Sequence, residues 1–177
     1  MTSTPARKAD PHWIGWLITL VIAVILIVSF GAYAPQILAR MLQAAPHAPN
    51  WALWAALPWV IKLHIISALT ALIIGCVILA QRKGSGLHKT LGWTWVVAMA
   101  STAISSLWIN GLSNGAFSLI HLISGWTIVA LPMGIFAIRN RNVLRHRRTM
   151  TGLFVGGLVV AGALTFVPGR FMFDFFF

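Results

Sequence analysis

Acidic side chains are nearly missing from this chain: its 177 residues hold two Asp or Glu against thirteen Lys or Arg. The two acids, Asp10 and Asp174, stand near the ends. No carboxylate is therefore available to a site in the apolar middle of the chain, and a carboxylate-based proton relay is disfavoured. Cysteine is almost as scarce. Cys76 is alone and lies in mid-segment, which excludes an internal disulfide and a thiolate cluster. Charged residues make up only 8% of the chain while 59% are hydrophobic, so the polar faces that helices of a soluble core present to water are lacking. There is no flavin or nicotinamide motif, and the chain has no room for such a domain beside its apolar segments.

What the chain has in quantity is apolar runs. Five approach the roughly 20 residues that cross a bilayer: Trp13–Tyr33, Trp59–Ala80, Leu91–Ile109, Phe117–Ile138 and Met150–Val167. The expected fold is an all-α integral membrane protein with five transmembrane helices. Spans two to five form a four-helix core of two repeated hairpins, and the first helix is peripheral. Residues 1–12 are then a polar tail, 13–58 the peripheral helix with its outer connection, 59–170 the core and 171–177 an aromatic tail. The first run has Arg7 and Lys8 ahead of it and Ala32-Tyr33-Ala34 at its end, like a secretion signal. Its length, and Pro35 after the would-be cut, favour a retained helix.

The net charge of +11 does not point to nucleic acid, because the cations flank the spans. Arg7 and Lys8 precede the first; Arg82, Lys83 and Lys89 join the second to the third; Arg139, Arg141, Arg145, Arg147 and Arg148 join the fourth to the fifth. The connection Gly111–Ala116 carries no Lys or Arg. Cytoplasmic loops collect positive charge, so the N-terminus and both basic loops are expected in the cytoplasm and the C-terminus on the far side. Only Arg40, Lys62 and Arg170 remain there. Some of the inner charge meets anionic lipid headgroups. On the outer connection, Ile37, Leu38, Met41 and Leu42 recur at helical spacing, as in a short helix lying in the headgroup layer. Trp51, Trp54 and Trp59 suit the interfacial aromatic belt. Gly84-Ser85-Gly86 and Asn110–Gly115 read as tight turns.

Four histidines fall in a repeat. His64 opens His64-Ile65-Ile66-Ser67 and His121 opens His121-Leu122-Ile123-Ser124, 57 residues later; His88 and His146 are 58 residues apart. His64 precedes Arg82 by 18 residues and His121 precedes Arg139 by 18. Each of these two imidazoles then stands about 27 Å from the basic boundary at helical rise. Direct repeats imply a pseudo-twofold axis along the membrane normal, which sets spans two and four opposite each other, and likewise three and five. The expected pairs are His64 with His121 and His88 with His146, at levels about 20 Å apart.

Polar groups inside a membrane are costly and point to function. Two neutral imidazoles from facing helices, without thiolate or carboxylate, suit a low-spin haem b with both axial positions filled. Zinc normally takes four protein ligands, and copper usually recruits thiolate or thioether. Haem propionates would find Arg82, Lys89 and Arg147 at the inner level and Lys62 and Arg170 at the outer. Setting the topology explains the inner cations equally well, and snorkelling explains Lys62. Ser67 and Ser124 would orient a ligand or bond a backbone carbonyl. Gly152 and Gly156 form a Gly-x-x-x-Gly pair suited to close packing, and Pro132 is expected to kink its span.

The strings Leu87-His88-Lys89-Thr90-Leu91-Gly92-Trp93-Thr94-Trp95, Ile120-His121-Leu122-Ile123-Ser124 and His146-Arg147-Arg148-Thr149-Met150-Thr151-Gly152 resemble the bacterial predicted membrane proteins grouped as domain of unknown function 2306. The resemblance covers roughly residues 55–170. That group is distantly similar to cytochrome b561 and ferric-reductase transmembrane proteins, whose four-helix core holds two b-type haems through histidines on alternate helices. The resemblance implies His64 and His121 on an outer haem, His88 and His146 on an inner one, and a bacterial inner membrane location. The leading expectation is thus a di-haem cytochrome passing electrons across the bilayer, with a quinol as one donor class. An accessory or assembly subunit of a larger membrane complex, bound to another membrane protein, is the alternative. A histidine-lined transporter is the third reading, and the Leu, Ile, Val and Ala of the mid-spans oppose it.

Overall fold

The computed structural model describes Gly31, residues 33–109 and residues 119–177. The expected first span, Trp13–Tyr33, falls almost wholly outside them, as does the turn at Asn110–Gly115. The chain divides into two units, Met1–Ala45 and Pro46–Phe177. In the first, α1 (Ala34–Gln43) is the helix expected on the outer connection, with a proline in its first turn, Arg40 in its last and no buried residue.

The second unit is all-helical among its described residues. A short α2 (Trp51–Ala56) leads to α3 (Trp59–Ala80), α4 (Gly86–Ser106), α5 (Leu119–Arg139), α6 (Val143–Phe166) and a terminal α7 (Phe171–Phe176). Helix α3 packs along α4, α4 along α5 and α5 along α6, and α6 returns to α3. This closed ring sets α3 diagonal to α5 and α4 diagonal to α6. Three helices, Trp59–Ala80, His121–Arg139 and Val143–Phe166, are long and apolar enough to cross a membrane, with mean hydropathies of 2.5, 1.7 and 1.7.

Helix α4 is long enough but not in that group, for a physical reason. Thr, Ser and Trp dilute its apolar residues, and six of its residues are buried, two of them serines: Trp95, Ala98, Met99, Ala103, Ser105 and Ser106. Its hydroxyls are carried at low cost because they bond carbonyls of their own helix, Thr102 to Ala98 O at 2.9 Å and Ser105 to Ser101 O at 2.7 Å.

The bundle is built inside-out relative to a soluble protein. On α3 the small residues Ser67, Ala71 and Gly75, spaced by four, are buried, while Ile66, Leu69, Ile73 and Val77 are exposed. Lipid is as apolar as leucine, so nothing drives large side chains inward. Small residues face inward because they let helices approach closely.

The expected close approach at Gly152 and Gly156 is corrected. A Cβ added at either would meet nothing within 4 Å. The tight glycines are Gly75, where a Cβ would overlap the Phe154 ring, and Gly134, where it would overlap Met150. Gly157 lies more loosely against Met99 and Thr127. The mismatch traces to α6, whose Leu153–Val160 stretch is wound as a π-helix. The inward face there is carried by Leu153, Phe154 and Leu158, and Gly152 and Gly156 lie off it. Helix α5 runs unbroken through Pro132.

Two helices begin earlier than their apolar runs suggest. Ser85 caps α4 by accepting from His88 N at 3.1 Å, and Asn142 caps α6 by accepting from Arg145 N at 3.0 Å. These N-caps extend α4 back to Gly86 rather than Leu91 and α6 back to Val143 rather than Met150. His88 and His146 therefore sit in first helical turns.

The aromatic tail is engaged by its own chain. His47 N donates to Phe176 O (2.9 Å) and Asn50 N to Phe175 O (3.1 Å). The Trp51 and Phe175 rings meet edge to face, with centroids 5.7 Å apart.

Candidate functional site: two histidine levels

At the end of the bundle away from the basic loops, His64 of α3 turns toward α4. Its Nδ1 lies 3.0 Å from Thr102 O and 3.3 Å from Ser105 Oγ. A carbonyl only accepts, so Nδ1 carries the proton of the neutral ring and the Nε2 lone pair is the free donor. The single proton of Thr102 Oγ1 is shared between Ala98 O (2.9 Å) and Ser67 Oγ (3.0 Å), and Ser67 Oγ donates to His64 O (3.1 Å). Ser67 thus bonds a backbone carbonyl, the commoner of its two expected roles. On the other flank of α4, Ser106 Oγ donates to Ser124 Oγ of α5. Ser67 follows His64 by three residues, as Ser124 follows His121. Their bridges to α4, at Thr102 and Ser106, are one turn apart, so His64 and His121 flank α4 at levels within about 6 Å of each other.

Four hydroxyl residues escaped the sequence reading: Thr102, Ser105, Ser106 and Thr127. The signal was present. Thr102, Ser105 and Ser106 recur at i, i+3 and i+4, a polar stripe on one face of an otherwise apolar helix. Thr127 Oγ1 donates to Ile123 O (2.9 Å) one turn below Ser124.

Below this layer the ring is filled by Ala71, Trp95, Met99, Leu131, Phe154 and Leu158. Gly75 and Gly157 provide the room for Phe154 and Met99. The two histidine levels are thereby separated by a packed apolar block.

At the basic end, His146 Nδ1 lies 2.9 Å from Gly134 O on α5. The same reasoning leaves its Nε2 as the donor. His88 stands ahead of the apolar stretch that begins at Leu91, and its Nδ1 is buried without a hydrogen-bond partner. Burial first, then the neighbouring His146 and Lys83 charges, hold its imidazole below the ordinary value. His88 and His146 are thus close enough to sense each other's charge. Gln81, which ends α3, also has both amide atoms buried without partners.

The expected anion-binding cations divide into groups. Lys62 Nζ donates to Ala55 O at 3.0 Å, closing the last turn of α2 rather than reaching into the bundle. Lys83 Nζ donates to Ile78 O and Leu79 O, both at 2.6 Å, and so caps α3. Arg82, Lys89 and Arg147 are exposed at the basic end. Arg170 is half-buried where it precedes α7.

A metal ligand histidine commonly gives its other ring N–H to a carbonyl, which fixes the tautomer and aims the coordinating nitrogen. His64 and His146 meet that requirement, in surroundings without thiolate or carboxylate. Among the described residues no three His, Cys, Asp or Glu side chains gather as a metal-holding group.

Comparison with curated proteins and with solved structures gives no match. A family described as "Predicted membrane protein (DUF2306)" matches residues 61–176, more than half of the chain, and runs past residue 170 into α7. The inside-out packing, the spanning helices and this match agree: the chain belongs to that family of predicted membrane proteins.

Proposed function

We propose that the four-helix ring is a b-type membrane cytochrome, with His64 and His121 as the ligand pair at one level and His88 and His146 at the other. The observation that carries this reading is the carbonyl-anchored Nδ1–H of His64 and of His146. Each bond fixes a ring through Nδ1–H and leaves Nε2 on the opposite side, one ring at each level. When bound, a haem supplies one reversible ferric–ferrous electron step, at a potential set by its axial ligands and surroundings.

The residues around the rings have definable roles. Thr102 O and Gly134 O orient the imidazoles and raise their basicity. Trp95, Met99, Phe154 and Leu158 exclude water between the levels. Arg82, Lys89 and Arg147 are available to anionic substituents at the basic end, and Arg170 at the other. Two levels divide a crossing of the bilayer into shorter electron steps. A quinol in the lipid is the donor class this placement favours, with a partner protein or metal ion as acceptor. The basic end faces the cytoplasm in this reading, and the membrane is a bacterial inner membrane. The accessory-subunit reading draws on the aromatic tail and the outer amphipathic segment: α7 is engaged by Trp51 and its neighbours, while α1 has no buried residue.

The test is a reduced-minus-oxidised spectrum of the purified full chain, with haem quantified chemically. Two haems b per chain are expected. His64→Ala and His146→Ala should each remove one spectral component and spare the other. A haem-free protein, or a spectrum left whole by both substitutions, overturns the assignment.

A further inference from the structure

Where α5 turns into α6, at the basic end, the surface opens into a wedge lined by Met133, Phe136, Ala137, Asn140, Asn142 and Arg145. The turn is tight because Arg141 takes a left-handed conformation (φ 58) and Asn142 N donates back to Ala137 O at 2.8 Å. The wedge is two-faced along the membrane normal. Its deeper wall is apolar: Ala137 is 6% exposed, whereas Met133 is 38% and Phe136 58% exposed on the surface that meets lipid. Its mouth carries two carboxamides and a guanidinium at the level where headgroups lie.

Charge decides what such a wedge holds. Arg139, Arg141, Arg145, Arg147 and Arg148 fall within ten residues, and the whole chain has two carboxylates, Asp10 and Asp174. Among the described residues the one carboxylate side chain is Asp174, in α7 at the opposite end of the bundle. The counter-charge for this loop must come from outside the protein. A guanidinium binds phosphate oxygens through paired N–H donors, and the exposed Met133 and Phe136 offer an acyl chain a surface directly below. We infer that the wedge is a binding site for one anionic phospholipid, its phosphate on Arg145 with Asn140 and Asn142, and its acyl chain along Met133 and Phe136. This site is independent of the histidine levels. It would fix the α5–α6 turn to the inner leaflet at one stoichiometric position, beyond the diffuse attraction of the other cations.

The experiment reconstitutes the full chain in nanodiscs of phosphatidylcholine with a minor fraction of phosphatidylglycerol. Native mass spectrometry then counts the lipids retained after gentle detergent extraction. One phosphatidylglycerol per chain should be retained in preference to phosphatidylcholine. Arg145→Gln should lower that retention roughly tenfold, the scale of a lost charge-assisted bond. Arg139→Gln, an equal change of charge one turn away and outside the wedge, should lower it less than about twofold. Met133→Trp leaves every charge in place and fills the apolar wall, and should match Arg145→Gln. Millimolar inorganic phosphate should not displace the lipid. Equal losses in the two arginine variants, full retention in Met133→Trp, displacement by phosphate, or no preference between the two lipids would each overturn the inference.

Discussion

The two ends of the helical ring hold their histidines by different means. At the far end His64 is fixed by a neighbouring helix, through Thr102 O and a surrounding set of hydroxyls that join α3, α4 and α5. At the basic end His88 and His146 occupy helix starts, which exist because Ser85 and Asn142 cap them. Both levels use a carbonyl of a neighbouring helix, Thr102 O for His64 and Gly134 O for His146, but only the basic level also rests on caps at the starts of the helices that carry its histidines. The comparison teaches that equal spacing in sequence does not give equal environments: matched histidines in a repeat are supported by unmatched neighbours.

Breaking the packing should strike hardest. Gly75→Leu would press a side chain into Phe154 and the Trp95 indole, at the block that separates the two levels. Overpacking of this kind costs about 3 kcal/mol. A large loss of resistance to mixed-detergent unfolding is expected, with both levels disturbed together. Gly156→Ala is the control: with nothing within 4 Å of the added carbon, stability should stay within about 0.5 kcal/mol. If the two variants behave alike, the block is not packed as described.

The caps come next. Asn142→Ala and Ser85→Ala each remove one side-chain acceptor from a helix start, at about 1 kcal/mol. Hydrogen exchange should rise in the first turns of α6 and α4 respectively, and His64 should be unaffected in both. Thr102→Val is the complementary change at the far end. It deletes the donor to Ser67 Oγ and leaves Thr102 O in place for His64. Side-chain hydrogen bonds between membrane helices average about 0.6 kcal/mol, so a smaller stability loss is expected, with no change in exchange at the basic end. A far-end response to the cap variants would show that the ends are not independent.

Much of this arrangement was legible in sequence, and the failures have identifiable causes. Hydropathy placed three of the five expected spans among the described residues, because a lipid-facing helix advertises itself all round, as Ile66, Leu69, Ile73 and Val77 do on α3. The least apolar segment, α4, buries Ser105 and Ser106 on its inward side, where a helix packed between two others can hide hydroxyls that lipid would penalise. Hydropathy therefore gave weakest support to the helix on which His64 depends. Helix starts were misjudged by five and seven residues because caps lie outside apolar runs: Ser85 and Asn142 are N-cap residue types in plain view. The glycine motif failed because the inward face of α6 runs through Leu153, Phe154 and Leu158 and leaves Gly152 and Gly156 off it. The histidine strings were visible as a repeat. The backbone carbonyls that orient His64 and His146 have no sequence signal at all.

The smallest expected effect is also the one that isolates the basic end. His88 has its proton affinity lowered by burial and then by the His146 and Lys83 charges, so the folded chain binds a proton there less readily than the unfolded chain does. Where the unfolded state carries more protons, stability rises with pH. The contribution is therefore fully present above the ordinary histidine value. It declines as the pH falls through that value toward the lowered one, and changes no further below it. Once the pH dependence of the intrinsic exchange rate is divided out, the protection of amides in the first turn of α4 should decrease as the medium is taken from neutral to mildly acidic. His88→Gln, which keeps a polar side chain without the titration, should flatten that dependence while leaving the exchange of α3 near His64 unchanged. A pH response that survives in the variant would assign the titration to another group, and with it the claim that His88 senses His146 across the α4–α6 diagonal.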